Sequence, residues 1–459
     1  MSKTRRSDIL LASVREGRPM SGSEKLRLII DLSIPSIMAQ VTSVLMFFID
    51  ASMLGRLGAE ASASVGLVES STWLLGSLTG AASTGFSVQV AHFIGANDFS
   101  SARRVFGCGL LCCLSLSLLI GCLGAAVAPW LPYWLGGGAD IAPDAAIYFA
   151  VFALAMPFFQ LGNLSGAMLK CSGDMRTPSV VSILMCVADV VFNYIFIFVC
   201  GLGVFGAALG TAVSIIGGSL VQGYIAVFQN AMLRLKDTPY AFRWHGDYVR
   251  NALKIGSPMA LQSTLMSGAQ MVSTMIVAPL GNNSIAANSF AITAESLCYM
   301  PGYGIGDAAT TLVGQSVGAG RSRLCRSFAR MTIGLGMAVM ALMGVVMYVF
   351  APEMMALLTP VEGIRDLGVH ALRIEAFAEP MFAAAIVSYS VCVGMGDTLR
   401  PALMNLFSMW CVRLTLAAWL AKDYGLAGVW TAMAIELSFR GTIFLIRIAR
   451  KNFDRTVKR

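Results

Sequence analysis

Long apolar stretches recur along the chain, at roughly 32–55, 64–94, 105–133, 145–169, 179–200, 205–230, 252–280, 286–317, 328–351, 368–394, 402–421 and 426–446. Each can cross hydrocarbon about 30 Å thick as a helix, which needs about 20 residues. The stretches 64–94 and 286–317 exceed that length and are expected to tilt or to project beyond the hydrocarbon. The pattern predicts an all-α polytopic membrane protein with twelve transmembrane helices.

Lysine and arginine are distributed in phase with these stretches. With the N-terminus in the cytoplasm, 27 of the 33 basic residues fall on the cytoplasmic side. Only Arg56, Arg365 and Lys422 fall outside, and Arg373, Arg413 and Arg440 lie within spans. Such an excess orients a membrane protein with its positive loops inside. It predicts a multi-pass protein of the cell (inner) membrane with both termini cytoplasmic. It also supports an even number of spans, because a missed helix would scramble the alternation.

The chain repeats at an offset of 223. Pro35 matches Pro258, Leu57-Gly58 matches Leu280-Gly281, and Gly95-Ala96 matches Gly318-Ala319. Pro157 matches Pro380, Gly173-Asp174 matches Gly396-Asp397, and Pro178 matches Pro401. Six spans separate the copies, so both have the same orientation, as in the parallel repeats of some transporters. The expected organisation is a cytoplasmic tail over 1–28, a six-helix lobe over 29–230, a cytoplasmic linker over 231–251, a second six-helix lobe over 252–446 and a cytoplasmic tail over 447–459. A V-shaped cleft between such lobes would let small rocking open a path to either side.

Composition agrees: 56% of the 459 residues are hydrophobic and 13% charged, against about 25% charged in a soluble protein. That excludes a soluble globe and a disordered chain. The net charge of +8 is accounted for by the cytoplasmic loops, so it does not argue for nucleic acid. The 11 Cys show no paired CxxC spacing and several sit in apolar stretches. They read as small apolar residues, not as a disulfide frame. Three His without helical pairing (His92, His245 and His370) argue against a metal site. No secretory signal is read in residues 1–28, which are basic and polar.

Ionisable residues within spans are the candidates for chemistry, because a charge at the bilayer centre costs roughly 2.5–3.5 kcal/mol on insertion scales. Asp50 in MFFIDASML has no basic residue within a helical turn. A carboxyl there can alternate between protonated and ionised forms as hydration changes. Asp189 and Asn193 are four apart and share a helix face. Their oxygens suit a hard cation such as Na+ or a proton with a hydrogen-bond partner. Thr211, in the next span, offers a hydroxyl. These four residues form the expected coupling-cation site, with Na+ at Asp50, Asp189 and Asn193 as one form of it; the alternatives are an Asp50 capped by a neighbouring helix at the outer mouth, an interhelical polar clamp at Asp189 and Asn193, and close packing at Thr211. The position equivalent to Asp189 is Val412, beside Arg413, so the site is expected in the first lobe. Glu69 and Glu295 occupy similar places in spans two and eight; they contact a cationic substrate or pair with Arg413 or Arg440. Glu436 and Arg440, four apart, are expected to pair, and the role of Glu375 and Glu379 is left open. The 27 Met and 25 Phe mostly pack, but some would suit loosely specific binding of flat apolar cations.

In order and spacing these pieces resemble the multidrug and toxic compound extrusion (MATE) family of the MOP superfamily. The matching motifs are Pro35-x4-Gln40, Ile49-Asp50-x3-Leu54-Gly55-Arg56-Leu57-Gly58, Asp189-x3-Asn193 and Gly206-Ala207-Ala208-x2-Thr211. In the second half they are Gly314-Gln315-x2-Gly318-Ala319-Gly320 and Gly394-x-Gly396-Asp397-Thr398. The resemblance covers about residues 25–450 and looks closer to the DinF-like than to the NorM-like branch, since Pro258 to Gln270 contains no acid. It implies a secondary antiporter that expels cationic, amphipathic drugs or toxins in exchange for H+ or Na+. The implied cation site is Asp50, Asp189, Asn193 and Thr211, and Gln40 joins Glu69, Glu295 and Arg413 as candidate substrate or ion-pair contacts. No cofactor beyond the coupling ion, no nucleic acid and a monomer in the bilayer are expected.

Three other function classes fit the sequence less well. A flippase for a lipid-linked saccharide would want a large basic cavity, and only Arg373, Arg413 and Arg440 lie within spans. A membrane-embedded enzyme would want a catalytic cluster such as paired DDxxD acids, and none occurs. An ion channel would leave the two-lobe repeat without a purpose. There is no GxxxxGK[ST] phosphate loop for ATP.

Overall fold

A computed structural model describes residues 6–454. The outer five residues of each expected tail, 1–5 and 455–459, lie outside the described residues. The elements are α1 Arg6–Arg15, α2 Gly22–Gly55, α3 Ala59–Gly95, α4 Phe99–Val127, α5 Leu131–Trp134, α6 Ala142–Ser172, α7 Arg176–Tyr194 and α8 Gly203–Tyr224. The second half contains α9 Gly246–Val277, α10 Asn282–Gly318, α11 Ser322–Leu358, α12 Glu362–Ala376, α13 Glu379–Gly394, α14 Leu399–Phe407 and α15 Leu414–Arg450. Wider π turns extend α7 over Ile195–Val199 and α8 over Ile225–Gln229, and another, Ser408–Arg413, joins α14 to α15. No strand occurs among the described residues.

Twelve membrane-crossing helices are present among the described residues, as expected, although not all are uniformly apolar. Seven helical segments among the described residues are long and apolar enough to span on composition alone. One of them, Leu399–Arg450, is two helices divided at Gly425, whose φ of 58° is non-helical. The pair α12 and α13 forms one span bent by 60°. The remaining three, α3, α9 and α10, are long but diluted by Ser, Thr, Gln and Glu. Polar side chains on a spanning helix face the protein or a watered cavity, because lipid cannot solvate them.

The repeat is visible in the backbone. Helices α3 and α10 begin and end 223 residues apart. Each is preceded by a glycine with positive φ, Gly58 at 118° and Gly281 at 104°. Gly173 (95°) and Gly396 (76°) likewise close α6 and α13. A side chain at any of these would meet its own carbonyl, which explains why the glycines recur.

The expected N-terminal tail is more ordered than its polarity suggests. Helix α1 buries Leu10, Leu11 and Val14. Arg321 donates to the carbonyls of Ser13 (3.0 Å), Val14 (3.3 Å) and Arg18 (2.9 Å), satisfying the end of α1. Helix α2 then opens with a capping box: Ser21 N donates to Glu24 Oε2 at 2.8 Å, and Glu24 N to Ser21 Oγ at 3.2 Å.

The chain forms two compact units, one of residues 42–260 and one of residues 1–41 with 261–459. The boundaries fall inside α2 and α9, not at the ends of the stretches 29–230 and 252–446. Close backbone approach accounts for this. A Cβ on Gly85 would collide with the Ala252 carbonyl, and one on Gly256 would lie 2.9 Å from the Ala81 carbonyl, so α9 begins packed on α3. A Cβ on Gly304 would meet the Ile37 backbone, so α2 begins packed on α10.

Candidate functional site

In the unit of residues 42–260, three helices bring together the residues expected to bind a cation. Asp50 comes from α2, Asp189 and Asn193 from one face of α7, and Thr211 from α8. The Asn193 amide bridges both carboxyl groups, donating from Nδ2 to Asp50 Oδ1 at 2.9 Å and to Asp189 Oδ2 at 3.1 Å. The Asp50 and Asp189 carboxyls are electrostatically coupled, and the Thr211 hydroxyl is close enough to Asp189 to interact with it. Asp189 and Asn193 are 0% and 1% exposed. Asp189 Oδ1 and Asn193 Oδ1 are buried without a hydrogen-bond donor.

Gly210 makes room for the amide, because a Cβ there would overlap Asn193 Oδ1 and sit 2.9 Å from its backbone N. Just past Asn193 the helix widens into the π turn Ile195–Val199, a distortion that often accompanies functional sites. Two carboxylates so close repel unless a positive charge lies between them. A proton shared by the pair, or a Na+ taken by the two carboxylates, the Asn193 carbonyl and Thr211, would each complete the arrangement. No group of three or more His, Cys, Asp or Glu suited to a metal occurs among the described residues.

Glu69 and this site share Tyr148 as a neighbour. Tyr148 of α6 is electrostatically linked to Asp50, Glu69 and Asp189 alike. Glu69 is exposed and accepts from Trp73 Nε1 at 3.4 Å, and Trp73 stacks on Phe47 at 4.7 Å. Gln40 is engaged elsewhere. In the unit of residues 1–41 and 261–459 its amide donates to Asp307 Oδ2 at 3.3 Å, beside Ser36 Oγ at 2.7 Å.

That second unit holds a buried acidic cluster of its own. Each of its acids is visible in the sequence, but their meeting in one cluster is not. Glu295 of α10, Glu375 of α12, Glu379 of α13 and Glu436 of α15 are all buried. Arg440 donates through Nε and Nη2 to Glu436 Oε1, both at 2.7 Å, and Ser408 donates to the same oxygen. The expected pairing of Glu436 and Arg440 is thus present. Arg413 lies in the electrostatic reach of Glu436, Glu375 and Glu295. Its guanidinium rests on the thioethers of Met409 (3.7 Å) and Met433, and no direct hydrogen bond to Glu295 is seen among the described residues.

All four carboxyl oxygens of Glu375 and Glu379 are buried without a donor. These two residues flank the 60° break between α12 and α13. Glu379 opens α13, where the helix dipole favours an acid, whereas Glu375 sits near the C-terminus of α12, where it does not. Their four-residue spacing was the available signal. What it could not show is that the helix breaks between them.

A twelve-helix membrane protein with an internal parallel repeat and buried acids on its spans has the architecture of a transporter, not of an enzyme. The MatE family model matches residues 35–195 and again 258–419, two segments whose starts are 223 apart. The chain belongs to the MatE family. Among curated relatives, the probable multidrug resistance protein NorM of Thermotoga maritima is 25% identical over 424 residues, 91% of each chain. The protein of the same name in Pseudomonas aeruginosa is 28% identical, covering 89% of this chain and 86% of its own. Among solved structures, a MATE protein in the straight conformation aligns with a TM-score of 0.89 at 22% identity, over 97% of this chain and 99% of its own. A MOP superfamily transporter from Pyrococcus furiosus aligns over 100% of both chains with the same score at 21% identity.

Proposed function

We propose that the protein is a cation-coupled multidrug antiporter of the inner membrane, with both termini cytoplasmic, exporting amphipathic and mostly cationic compounds. The observation that carries this reading is the Asn193 amide bridging Asp50 and Asp189 in a buried pocket with unused oxygen acceptors. H+ or Na+ entering from outside neutralises the carboxyl pair and removes its attraction for an organic cation, which leaves. The site then opens to the cytoplasm, the coupling ion escapes, and the ionised pair attracts the next cargo. Inward movement of one positive charge at 100 mV supplies roughly 2.3 kcal/mol. That supports an outward gradient of about fortyfold at roughly 1.4 kcal/mol per tenfold, without ATP.

The names of the curated relatives support export of multiple drugs. Glu69, with the Trp73–Phe47 aromatic pair beside it, offers an acid and a ring face to a flat cation. The engagement of two of the three span arginines argues against a lipid-saccharide flippase: Arg440 is neutralised by Glu436, and the part-exposed Arg373 is held by the Tyr348 carbonyl at 3.2 Å. Neither is free for a pyrophosphate.

The test is ethidium efflux with pH and Na+ gradients imposed separately. Asp50→Asn and Asp189→Asn should abolish gradient-driven efflux while both proteins still reach the membrane. Full efflux by both variants would refute the assignment of the site, and the gradient that drives the wild type identifies the ion.

A further inference from the structure

The segment after α8 is the longest connection between spans, and it is folded onto its own unit. Leu233, Leu235 and Ala241 are buried in the core that holds Phe106 and Leu169. Arg103 pins the segment from the start of α4. Its guanidinium donates to the carbonyls of Ala231 (2.7 Å) and Met232 (3.2 Å) and reaches the Thr238 hydroxyl at 3.5 Å. Asn230 holds the end of α6 through Ser172 at 3.3 Å. Gly107 is packed so tightly on the Ala241 carbonyl that a Cβ would not fit.

The outward side of the same segment has a different chemistry. Phe228, Tyr240, Phe242 and Trp244 are exposed by 52%, 78%, 58% and 63%. Tyr240 adopts a φ of 58°, a left-handed conformation that costs a non-glycine residue roughly 1–2 kcal/mol. Such strain persists only where the surroundings impose it, and it gathers at ligand clamps. A concavity of about 450 Å³ opens here, lined by Phe228, Lys236, Tyr240, Phe242 and Arg243 among others. That lies within the roughly 300–1,000 Å³ usual for small-ligand sites. Lys236 and Arg243 are exposed, whereas nearby Arg234 is already neutralised by Asp237 at 2.7 Å.

We propose that this concavity binds the headgroup of an anionic phospholipid of the adjacent leaflet, with Lys236 and Arg243 on its phosphate and the exposed rings at headgroup depth. Aromatic side chains partition to that depth and basic residues beside a span attract anionic lipid. A soluble anion would gain nothing from four exposed rings, and a polar peptide would not cover them. The site belongs to the bundle end that carries the basic excess, so it faces the leaflet on that side whichever way the protein is inserted. It is separate from the carboxyl pair and does not depend on what that pair transports.

The experiment uses the full-length protein in mild detergent, titrated with phosphatidylglycerol, phosphatidylcholine or glycerol phosphate and read by melting temperature and native mass spectrometry. Phosphatidylglycerol should bind and raise the melting temperature, while phosphatidylcholine and glycerol phosphate should not. Lys236→Gln with Arg243→Gln should weaken phosphatidylglycerol binding on the order of 30-fold, and Arg250→Gln should leave it unchanged. Brominated phosphatidylglycerol should quench the wild type more than a Trp244→Phe variant, which reports occupancy independently of the cationic substitutions. Undiminished binding by the double variant would overturn the proposal. So would equal binding of phosphatidylcholine, or an equal effect of glycerol phosphate, which would mark a site for a free anion.

Discussion

Replacing Asn193 by alanine isolates the bridge between the two carboxyl groups. The amide supplies one hydrogen bond to each, at 2.9 and 3.1 Å, in a place where Asp189 has no access to water. A hydrogen bond to a charged group contributes roughly 1.5–3 kcal/mol. Losing both removes about 3–6 kcal/mol from the state in which the carboxylates are bare. The state with a proton or Na+ bound loses less, because the cation itself satisfies the oxygens. The balance shifts toward the occupied form by at most about 10²–10⁴-fold. Asn193→Ala should therefore hold its coupling ion and turn over slowly. In proteoliposomes loaded with ethidium, efflux under a saturating gradient should fall at least tenfold, while the ion concentration giving half the maximal rate should also fall. Melting temperature and elution on gel filtration establish that the variant is folded. Wild-type efflux with an unchanged ion dependence would refute the view that the amide stabilises an ionised pair, and loss of rate with a higher ion requirement would mean that Asn193 is itself mainly a ligand.

Gly210→Ala tests the same geometry from the opposite helix. Its methyl group would displace the Asn193 amide, so efflux should drop as in Asn193→Ala, and the double variant should be little worse than either alone. Glu436→Ala leaves Arg440 buried without its partner, which should cost about 3–5 kcal/mol. The melting temperature should drop sharply, and Glu436→Ala combined with Arg440→Met should recover part of the loss. Asp397, in the turn between α13 and α14, would be raised by burial, but Lys451 (2.9 Å) and Arg447 (2.5 Å) outweigh this and hold its carboxyl below the ordinary range. Its contribution is therefore present above the unfolded value near pH 3.9 and disappears as the pH falls through the lowered folded value. Asp397→Asn should lower the melting temperature at pH 7, by about 1 kcal/mol of stability for a partly exposed network. The difference from wild type should vanish in strong acid, and a difference that persists there would assign Asp397 a role other than its charge.

Much of this architecture can be read from the chain. The twelve apolar stretches, the offset of 223 and the spacing of Asp189 and Asn193 all have direct structural counterparts. That is because hydrophobic length, turn glycines and helical periodicity are local properties. What escapes is non-local. Pro157 and Pro380 are equivalent in the repeat, yet α6 runs through the first while the chain breaks just before the second. A proline removes a hydrogen bond and crowds the carbonyl one turn back, and neighbouring packing decides whether the helix continues or breaks. The meeting of Glu295, Glu375, Glu379 and Glu436 depends on four helices far apart in sequence, with no common spacing to announce it. Nothing in the sequence tells which carbonyl or helix Gly85, Gly256 and Gly304 meet. Hence the division within α2 and α9 was not foreseen.

That division has a consequence for biogenesis. The opening 41 residues complete a body whose remaining parts begin at Leu261. They emerge from the ribosome some 220 residues before those parts exist, an interval of about 10–45 s at ordinary elongation rates. During that time the beginning of α2 sits in the bilayer without its final neighbours, while residues 42–260 can already close around the carboxyl pair. Severing the gene between the repeats would give two polypeptides, neither with a full complement of helices, so maturation must wait for α9 from Leu261 and the helices beyond it to return to the start of the chain.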